Sequence, residues 1–214
     1  MSLLSLHDRP APATQLDEDD LIGLVTSRIC HDLISPIGAI DNGIELMGAM
    51  AGPPQGAEMG LIGESARAAG LKLKLLRLAF GTANSEARKG GAELSALFES
   101  AFDRPRLSFA VQIEPASICA ARAKLATLAL LCADGAMPFG GTLTLTLGAR
   151  EVRLDMRAER LRWQEALWDG LLGNAGFDTV RAGEVHFPIA RLHAERMGRE
   201  FTLERDEGGA ILTV

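Results

Sequence analysis

The sequence predicts an α+β protein in which a long helical hairpin precedes a domain of mixed helices and strands. Three observations support this prediction. Apolar residues recur every three or four positions over residues 17–80, the polar, glycine-rich segment Gly81–Gly91 interrupts that pattern, and segments typical of strands occur only beyond it. We therefore expect residues 17–81 to form one unit and residues 92–214 a second.

Residues 1–16 precede the first helical pattern and contain two prolines and the triplet His7-Asp8-Arg9, with no apolar segment. This composition predicts a disordered lead-in rather than a secretion signal. The longest apolar run, Leu125–Ala133, is much shorter than the roughly 20 residues that cross a bilayer. We therefore expect a cytoplasmic protein without a membrane partner.

The first helix is predicted over residues 17–50, because apolar side chains return along one stripe. Four consecutive acids suit the positive end of its dipole, and Gly52-Pro53-Pro54 marks its end. A second helix is predicted over residues 57–80. Since a lone hairpin leaves its apolar stripes half covered, we expect a second copy to complete a dimeric four-helix bundle.

The second half of the chain alternates helical and strand patterns, which predicts an α/β sandwich domain. The predicted helices lie near residues 92–102, 116–136, 163–168 and 188–197, and the predicted strands near residues 106–113, 141–147, 152–157, 200–204 and 210–214.

Composition excludes several classes of function. The chain has 22 Lys and Arg against 28 Asp and Glu, a net charge of −6, and it shows no basic run that would neutralise nucleic-acid phosphates. Three cysteines without a CxxC spacing or clustered histidines argue against a disulfide framework and a zinc site. We expect no nucleic-acid partner, no bound metal and no bound cofactor.

His31 stands out because it lies on the polar side of the first helix. On a helical wheel it is about 160° from Leu33, the centre of the apolar stripe. The residues around it are small or polar, with two apolar exceptions, and are expected to admit a partner protein. We call this predicted surface the docking face; its members are Leu24, Ser27, Ile34, Ser35, Gly38 and Asn42.

The chemistry of His31 suits phosphoryl transfer. A neutral imidazole nitrogen is nucleophilic near pH 7, and Asp32 could accept a hydrogen bond from Nδ1–H, which fixes the tautomer that exposes Nε2. Arg28, one turn earlier, could meet phosphate charge, and Pro36 could loosen the helix just after His31. From these residues alone, an ordinary surface histidine beside an ordinary acid remains the alternative.

The segment SRICHDLISPIGAIDNGIEL, residues 27–46, resembles the phosphoacceptor helix of histidine kinases. More closely, it is similar to the histidine phosphotransferases of alphaproteobacterial cell-cycle phosphorelays. The resemblance is strong over the first helix and weaker after Gly91. It implies a dimerisation and phosphotransfer hairpin followed by a degenerate histidine-kinase ATPase domain.

The second domain departs from the kinase pattern that it resembles. Cys132 stands where the kinase family has a magnesium-binding asparagine, and of the glycine-rich box only Gly183 remains. Because a thiol is a poor Mg²⁺ ligand, we expect no nucleotide binding. His186 and His193, in this same domain, are expected to be surface or hydrogen-bonded histidines.

The function predicted from the resemblance is that of a homodimeric phosphotransferase. His31 would accept a phosphoryl group from the receiver domain of a hybrid histidine kinase and pass it to response regulators, with Asp32 and Arg28 assisting. The Mg²⁺ that such transfer requires would come from the receiver. A divergent ATP-dependent histidine kinase and a non-catalytic dimeric adaptor are the alternatives.

Overall fold

The structure is a computed structural model that describes residues 16–49, 56–83 and 87–214. The predicted disordered lead-in therefore lies outside the described residues, apart from Leu16. The proline-containing end of the predicted first helix also lies outside them.

Two long helices, α1 (Glu18–Ala49) and α2 (Gly56–Phe80), pack against each other as the sequence predicts. The side chain of Asp17 caps α1 by accepting the backbone N–H of Asp20 at 2.7 Å. The helices approach closely at Gly43, where an added Cβ would come within 2.5 Å of Ile62. The helix also continues through Pro36 without interruption.

The remaining elements form the C-terminal domain. They are β1 (Arg88–Gly90), α3 (Gly91–Phe102), β2 (Leu107–Ile113), β3 (Ser117–Cys119), α4 (Ala120–Ala136), β4 (Gly141–Leu147), β5 (Val152–Arg157), α5 (Glu165–Leu172), the 3-10 helix Ala182–Glu184, α6 (His186–Arg196), β6 (Thr202–Asp206) and β7 (Gly209–Thr213).

Five strands form a mixed sheet in the order β2-β4-β5-β7-β6. The β2–β4 pair is parallel and the other pairs are antiparallel. Burial alternates along β4 and β5, because one face of the sheet meets the helices. The core packs Leu143, Leu145 and Leu154 of the sheet with Leu125 and Leu128 of α4.

The C-terminal end of α2 belongs to the same core. Leu75, Leu76 and Ala79 are buried, and α2 contacts both α3 and α4. Lys124 of α4 donates a hydrogen bond to the carbonyl of Gly81 at 2.8 Å, just after α2 ends. The hairpin and the C-terminal domain are thus joined by packing as well as by the chain.

Several predicted boundaries are corrected by the structure. The predicted linker Gly81–Gly91 contains β1, whose antiparallel pairing with β3 delays the helix predicted from residue 116 until Ala120. The helix predicted over residues 163–168 instead covers Glu165–Leu172. It ends at Gly173, whose φ of 82° turns the chain so that the N–H of Asn174 donates to the carbonyl of Asp169 at 2.9 Å.

The predicted hairpin of residues 141–147 and 152–157 is confirmed at both strands. Within the three described ranges, no helix combines the length and apolar character that crossing a membrane requires.

Candidate functional site

His31 projects from the middle of α1, and 86% of its side chain is exposed. Its Nδ1 lies 3.2 Å from Oδ1 of Asp32. Because an ionised carboxylate only accepts, Nδ1 is the protonated nitrogen in this contact. In the neutral imidazole, Nε2 is then the nitrogen that keeps its lone pair.

Asp32 is held from three directions. Its Oδ1 meets His31, and its Oδ2 accepts the Nε–H of Arg28 at 2.8 Å. Its backbone carbonyl accepts a hydrogen bond from Lys72 of α2 at 3.3 Å. Only 16% of the Asp32 side chain is exposed, so the carboxylate is fixed beside a much more exposed imidazole.

Arg28 makes a second contact, which joins α1 to the C-terminal domain. Its Nη1 donates to the carbonyl of Gly183 in the 3-10 helix Ala182–Glu184. The sequence suggests Arg28 as a phosphate contact, whereas in the structure its side chain donates to Asp32 and Gly183. Neither Gly183 nor Lys72 carries a sequence signal for this site, since each lies far along the chain from His31.

The docking face is only partly exposed. Ser27, Ser35 and Asn42 are exposed, and Ile34 is 68% exposed although it is a large apolar residue. Gly38 is half-buried. Leu24, predicted to be exposed, is instead half-buried and packs against the core, because the C-terminal domain covers this end of α1.

His186 lies beneath this contact and corrects a prediction. The sequence predicts a surface or hydrogen-bonded histidine, but the ring is buried, and neither of its nitrogens has a hydrogen-bond partner among the described residues. Burial lowers the pKa of His186 to about 3; the Arg28 charge lowers it too, and Asp32 opposes the change. His186 is therefore neutral at physiological pH.

His193 matches its prediction as a hydrogen-bonded histidine. Its Nε2 lies 2.8 Å from the carbonyl of Ala121, so this nitrogen carries the proton. Burial lowers the pKa of His193, while the bond to Ala121 opposes that change.

In the sequence resemblance to kinases, α4 is the counterpart of the magnesium-binding helix, with Cys132 at the position of the asparagine. Cys132 is completely buried, and burial raises the pKa of its thiol well above the ordinary value. Among the described residues, no three His, Cys, Asp or Glu side chains are grouped so that they could hold a metal ion.

Two edge-to-face aromatic contacts join Trp168 to Trp163 and to Phe187, with ring centres 5.0 and 5.4 Å apart.

A cavity of about 720 Å³ lies away from His31, where α2, α3 and β1 meet. Lys74, Arg77, Lys89 and Glu93 line it together with apolar side chains. The residues that line this cavity include none of the predicted site residues.

Comparison with known proteins identifies the family. Residues 91–209, more than half of the chain, match the model of the histidine phosphotransferase C-terminal domain. This chain belongs to the histidine phosphotransferase family. The resemblance predicted from residues 27–46 is thereby confirmed.

A curated relative in this family is the protein phosphotransferase ChpT of Brucella abortus (strain 2308), which is 39% identical over 133 residues. The match covers 60% of this chain and 61% of that protein. The 1.7 Å structure of a bacterial phosphotransferase is 28% identical and superposes with a TM-score of 0.79. It covers 95% of this chain and 99% of the other, so the hairpin and the C-terminal domain both have counterparts there.

Among solved kinases, the histidine kinase AdeS of Acinetobacter baumannii is 12% identical with a TM-score of 0.45, over 86% of this chain and 95% of that one. The predicted fold class, N-terminal helices followed by a domain of mixed helices and strands, is confirmed by the elements of the structure and by the superposition on the bacterial phosphotransferase. The predicted pairing of two hairpins remains a prediction.

Proposed function

We propose that this histidine phosphotransferase carries a phosphoryl group on Nε2 of His31 and relays it between receiver-domain aspartates. The observation that supports this proposal is the geometry of His31. Asp32 engages Nδ1 at 3.2 Å, while the side chain is 86% exposed. An exposed, unprotonated Nε2 is what an aspartyl phosphate on another protein must reach.

In the proposed first step, the Nε2 lone pair of His31 attacks the phosphorus of a receiver aspartyl phosphate. The N–P bond forms as the P–O bond to the aspartyl carboxylate breaks, and that carboxylate leaves with the electron pair. Asp32 balances the positive charge that develops on the imidazole through its contact with Nδ1. In the second step, the aspartate of another receiver attacks the same phosphorus. The new P–O bond forms as the N–P bond breaks, and its electron pair returns to Nε2 of neutral His31.

The proposed partners are the receiver domain of a hybrid histidine kinase, as donor, and the receivers of response regulators, as acceptors. Ser27, Ser35 and Asn42 of the docking face are exposed on the same side of α1 as His31, and Ile34 offers an apolar contact. Gly38 would allow close approach. Because Leu24 is half-buried, only the exposed part of its side chain would contact a receiver. We assign the Mg²⁺ of the reaction to the acidic pocket of the receiver.

We further propose that the protein works without ATP. A neutral, fully buried thiol at Cys132 supports this, because it offers no ligand to the Mg²⁺ of a nucleotide. A calorimetric titration with Mg²⁺-ATP should give no binding heat. Micromolar affinity would instead favour a divergent histidine kinase.

The decisive experiment is transfer of labelled phosphate from a receiver. The receiver domain of a hybrid histidine kinase is phosphorylated with labelled acetyl phosphate, desalted and mixed with the full chain. The chain should gain a label that is stable in alkali and labile in acid, and His31→Ala should abolish it. His193→Gln is the matched control, because glutamine can still donate to the carbonyl of Ala121.

Two outcomes would contradict the proposal. Label retained in the folded His31→Ala protein would place the phosphoryl group elsewhere. No label in the wild-type protein from any receiver, despite receiver binding, would favour a non-catalytic adaptor.

A further inference from the structure

Arg28 connects three groups that otherwise belong to separate parts of the molecule. One end of its guanidinium donates from Nη1 to the carbonyl of Gly183 in the C-terminal domain. Its Nε donates to Oδ2 of Asp32 at 2.8 Å, and Oδ1 of Asp32 lies 3.2 Å from Nδ1 of His31. A continuous series of polar contacts thus runs from a backbone carbonyl of the second domain to the imidazole.

The surroundings of Arg28 show that this contact is not an ordinary surface ion pair. The side chain is 20% exposed and that of Asp32 only 16%. The Arg28 charge acts on His186 of α6 and on Asp134 of α4. Its guanidinium therefore sits against the C-terminal domain, where screening by solvent is weak and a fixed geometry persists.

We propose that Arg28 is a positioning residue through which the C-terminal domain selects the reactive nitrogen of His31. Anchored on Gly183, it holds the Asp32 carboxylate in one orientation. Asp32 in turn keeps the proton on Nδ1 and blocks that nitrogen. This inference rests on the proposed function, since it concerns how the same histidine is prepared for phosphorylation.

Gly183 offers a way to break the anchor without touching the helix that carries His31. An added Cβ there would lie 3.7 Å from Nη1 of Arg28, which is ordinary van der Waals contact. Its backbone does not adopt a positive φ, so other residues can take its place. Alanine should therefore fit, whereas leucine would occupy the space of the guanidinium and displace it.

The test uses potassium phosphoramidate, a small phosphoryl donor that requires no receiver. The full chain reacts with it, and NMR determines how much phosphate is on Nε2 and how much on Nδ1 of His31. The variants are Arg28→Met, Arg28→Lys and Gly183→Leu. Controls are Gly183→Ala and Arg191→Met, which removes the arginine of a comparable i,i+4 pair with Glu195 on α6.

Wild-type protein should be phosphorylated almost entirely on Nε2. In Arg28→Met, the rate at Nε2 should fall about tenfold, as for loss of other orienting partners of a functional histidine, and the Nδ1 isomer should appear. Gly183→Leu should behave similarly, because it removes the anchor. For Arg28→Lys, the rate at Nε2 and the isomer ratio should lie between those of wild type and Arg28→Met, since an ammonium cannot reproduce both directed bonds. Both controls should match the wild type.

An unchanged rate and isomer ratio in Arg28→Met would overturn the proposal. A wild-type pattern in Gly183→Leu would refute the role of the C-terminal domain. If methionine at position 28 prevents folding, Arg28→Lys and Gly183→Leu decide by the same isomer ratio. If no receiver transfers phosphate to the chain but phosphoramidate still reacts selectively at Nε2, the proposed relay is rejected. The positioning role of Arg28 then remains intact.

Discussion

Helices α1 and α4 are almost equally apolar, yet they are buried to very different extents. In α4, 12 of 17 residues are buried, because the sheet and the neighbouring helices surround it. In α1, only Gly43 is buried among the residues whose side chains the structure describes. Helix α4 therefore finds its core within the chain, whereas the apolar face of α1 is left open to another surface.

The largest expected effect is on the oligomeric state, when the surface that would cover the apolar face of α1 is lost. Ile37 and Ile44 lie on one side of α1 and are 47% and 56% exposed. Light scattering of the wild-type protein should give about twice 22.8 kDa, because we expect a second hairpin to cover these residues. The double variant Ile37→Asp, Ile44→Asp should give a monomer, since it would bury two unpaired charges.

The double variant Ser35→Asp, Asn42→Asp is the matched control for this change. It introduces the same two charges, also seven positions apart, at exposed sites on the opposite side of α1 from Ile37 and Ile44, so it should remain dimeric. A wild-type monomer at micromolar concentration would contradict the predicted dimeric four-helix bundle.

The next largest effect is on the free energy of unfolding, when a buried side chain of α4 is truncated. Leu128→Ala should lower the free energy of unfolding by about 3 kcal/mol, because it leaves a cavity in a core with no exposed neighbour to fill it. Ile34→Ala, which truncates an exposed side chain of α1, should change it by less than about 0.5 kcal/mol. Urea titrations followed by circular dichroism measure both. Equal effects would mean that the two helices are not buried differently in solution.

The third effect is a pH dependence of stability, caused by His186 beneath the contact between α1 and the C-terminal domain. His186 stays neutral in the folded protein until about pH 3, while the unfolded chain protonates it below about pH 6.5. Between these values, the unfolded chain binds the additional proton, so stability falls as pH falls, by up to about 1.4 kcal/mol per pH unit. His186→Leu should remove this contribution.

The measurement is the difference in unfolding free energy between His186→Leu and wild type from pH 7 to pH 4. The difference should move steadily in favour of leucine as pH falls. His193→Gln should show a smaller pH dependence, because that histidine is only half-buried and is hydrogen-bonded. A pH-independent difference for His186→Leu would show that the ring is solvated in solution.

The smallest effect should be on receiver binding at the docking face. Ile34→Ala should raise the receiver concentration needed for half-maximal transfer by about fivefold, as expected for losing an exposed apolar contact. Ile22→Ala is the control, since Ile22 is 64% exposed but lies on another side of α1. If both variants have equal effects, the docking face is assigned to the wrong side of the helix.

The sequence was informative wherever structure depends on neighbours along the chain. The periodicity of α1 and α2 and the alternation in β4 and β5 gave correct elements, because each pattern is local. The sequence also indicated His31 and its contact with Asp32, since adjacent residues on a helix are close whatever the tertiary fold.

Predictions from the sequence failed where contacts between distant segments of the chain determine the structure. Strand β1 has three residues and forms only because it pairs with β3, about 30 positions away. The Arg28–Gly183 contact joins residues 155 positions apart, and the burial of His186 depends on the same docking. Predicting them requires knowing how α1 lies on the C-terminal domain.

The sheet order described above also affects how the chain folds as it is synthesised. Strand β7 follows every other strand in the chain, yet it lies inside the sheet between β5 and β6. Until β7 has left the ribosome, β5 presents an open edge and the core is incomplete, although the α1–α2 hairpin has long been available. The helix that carries His31 is therefore exposed to other chains before its own second domain can cover Leu24 and hold Arg28.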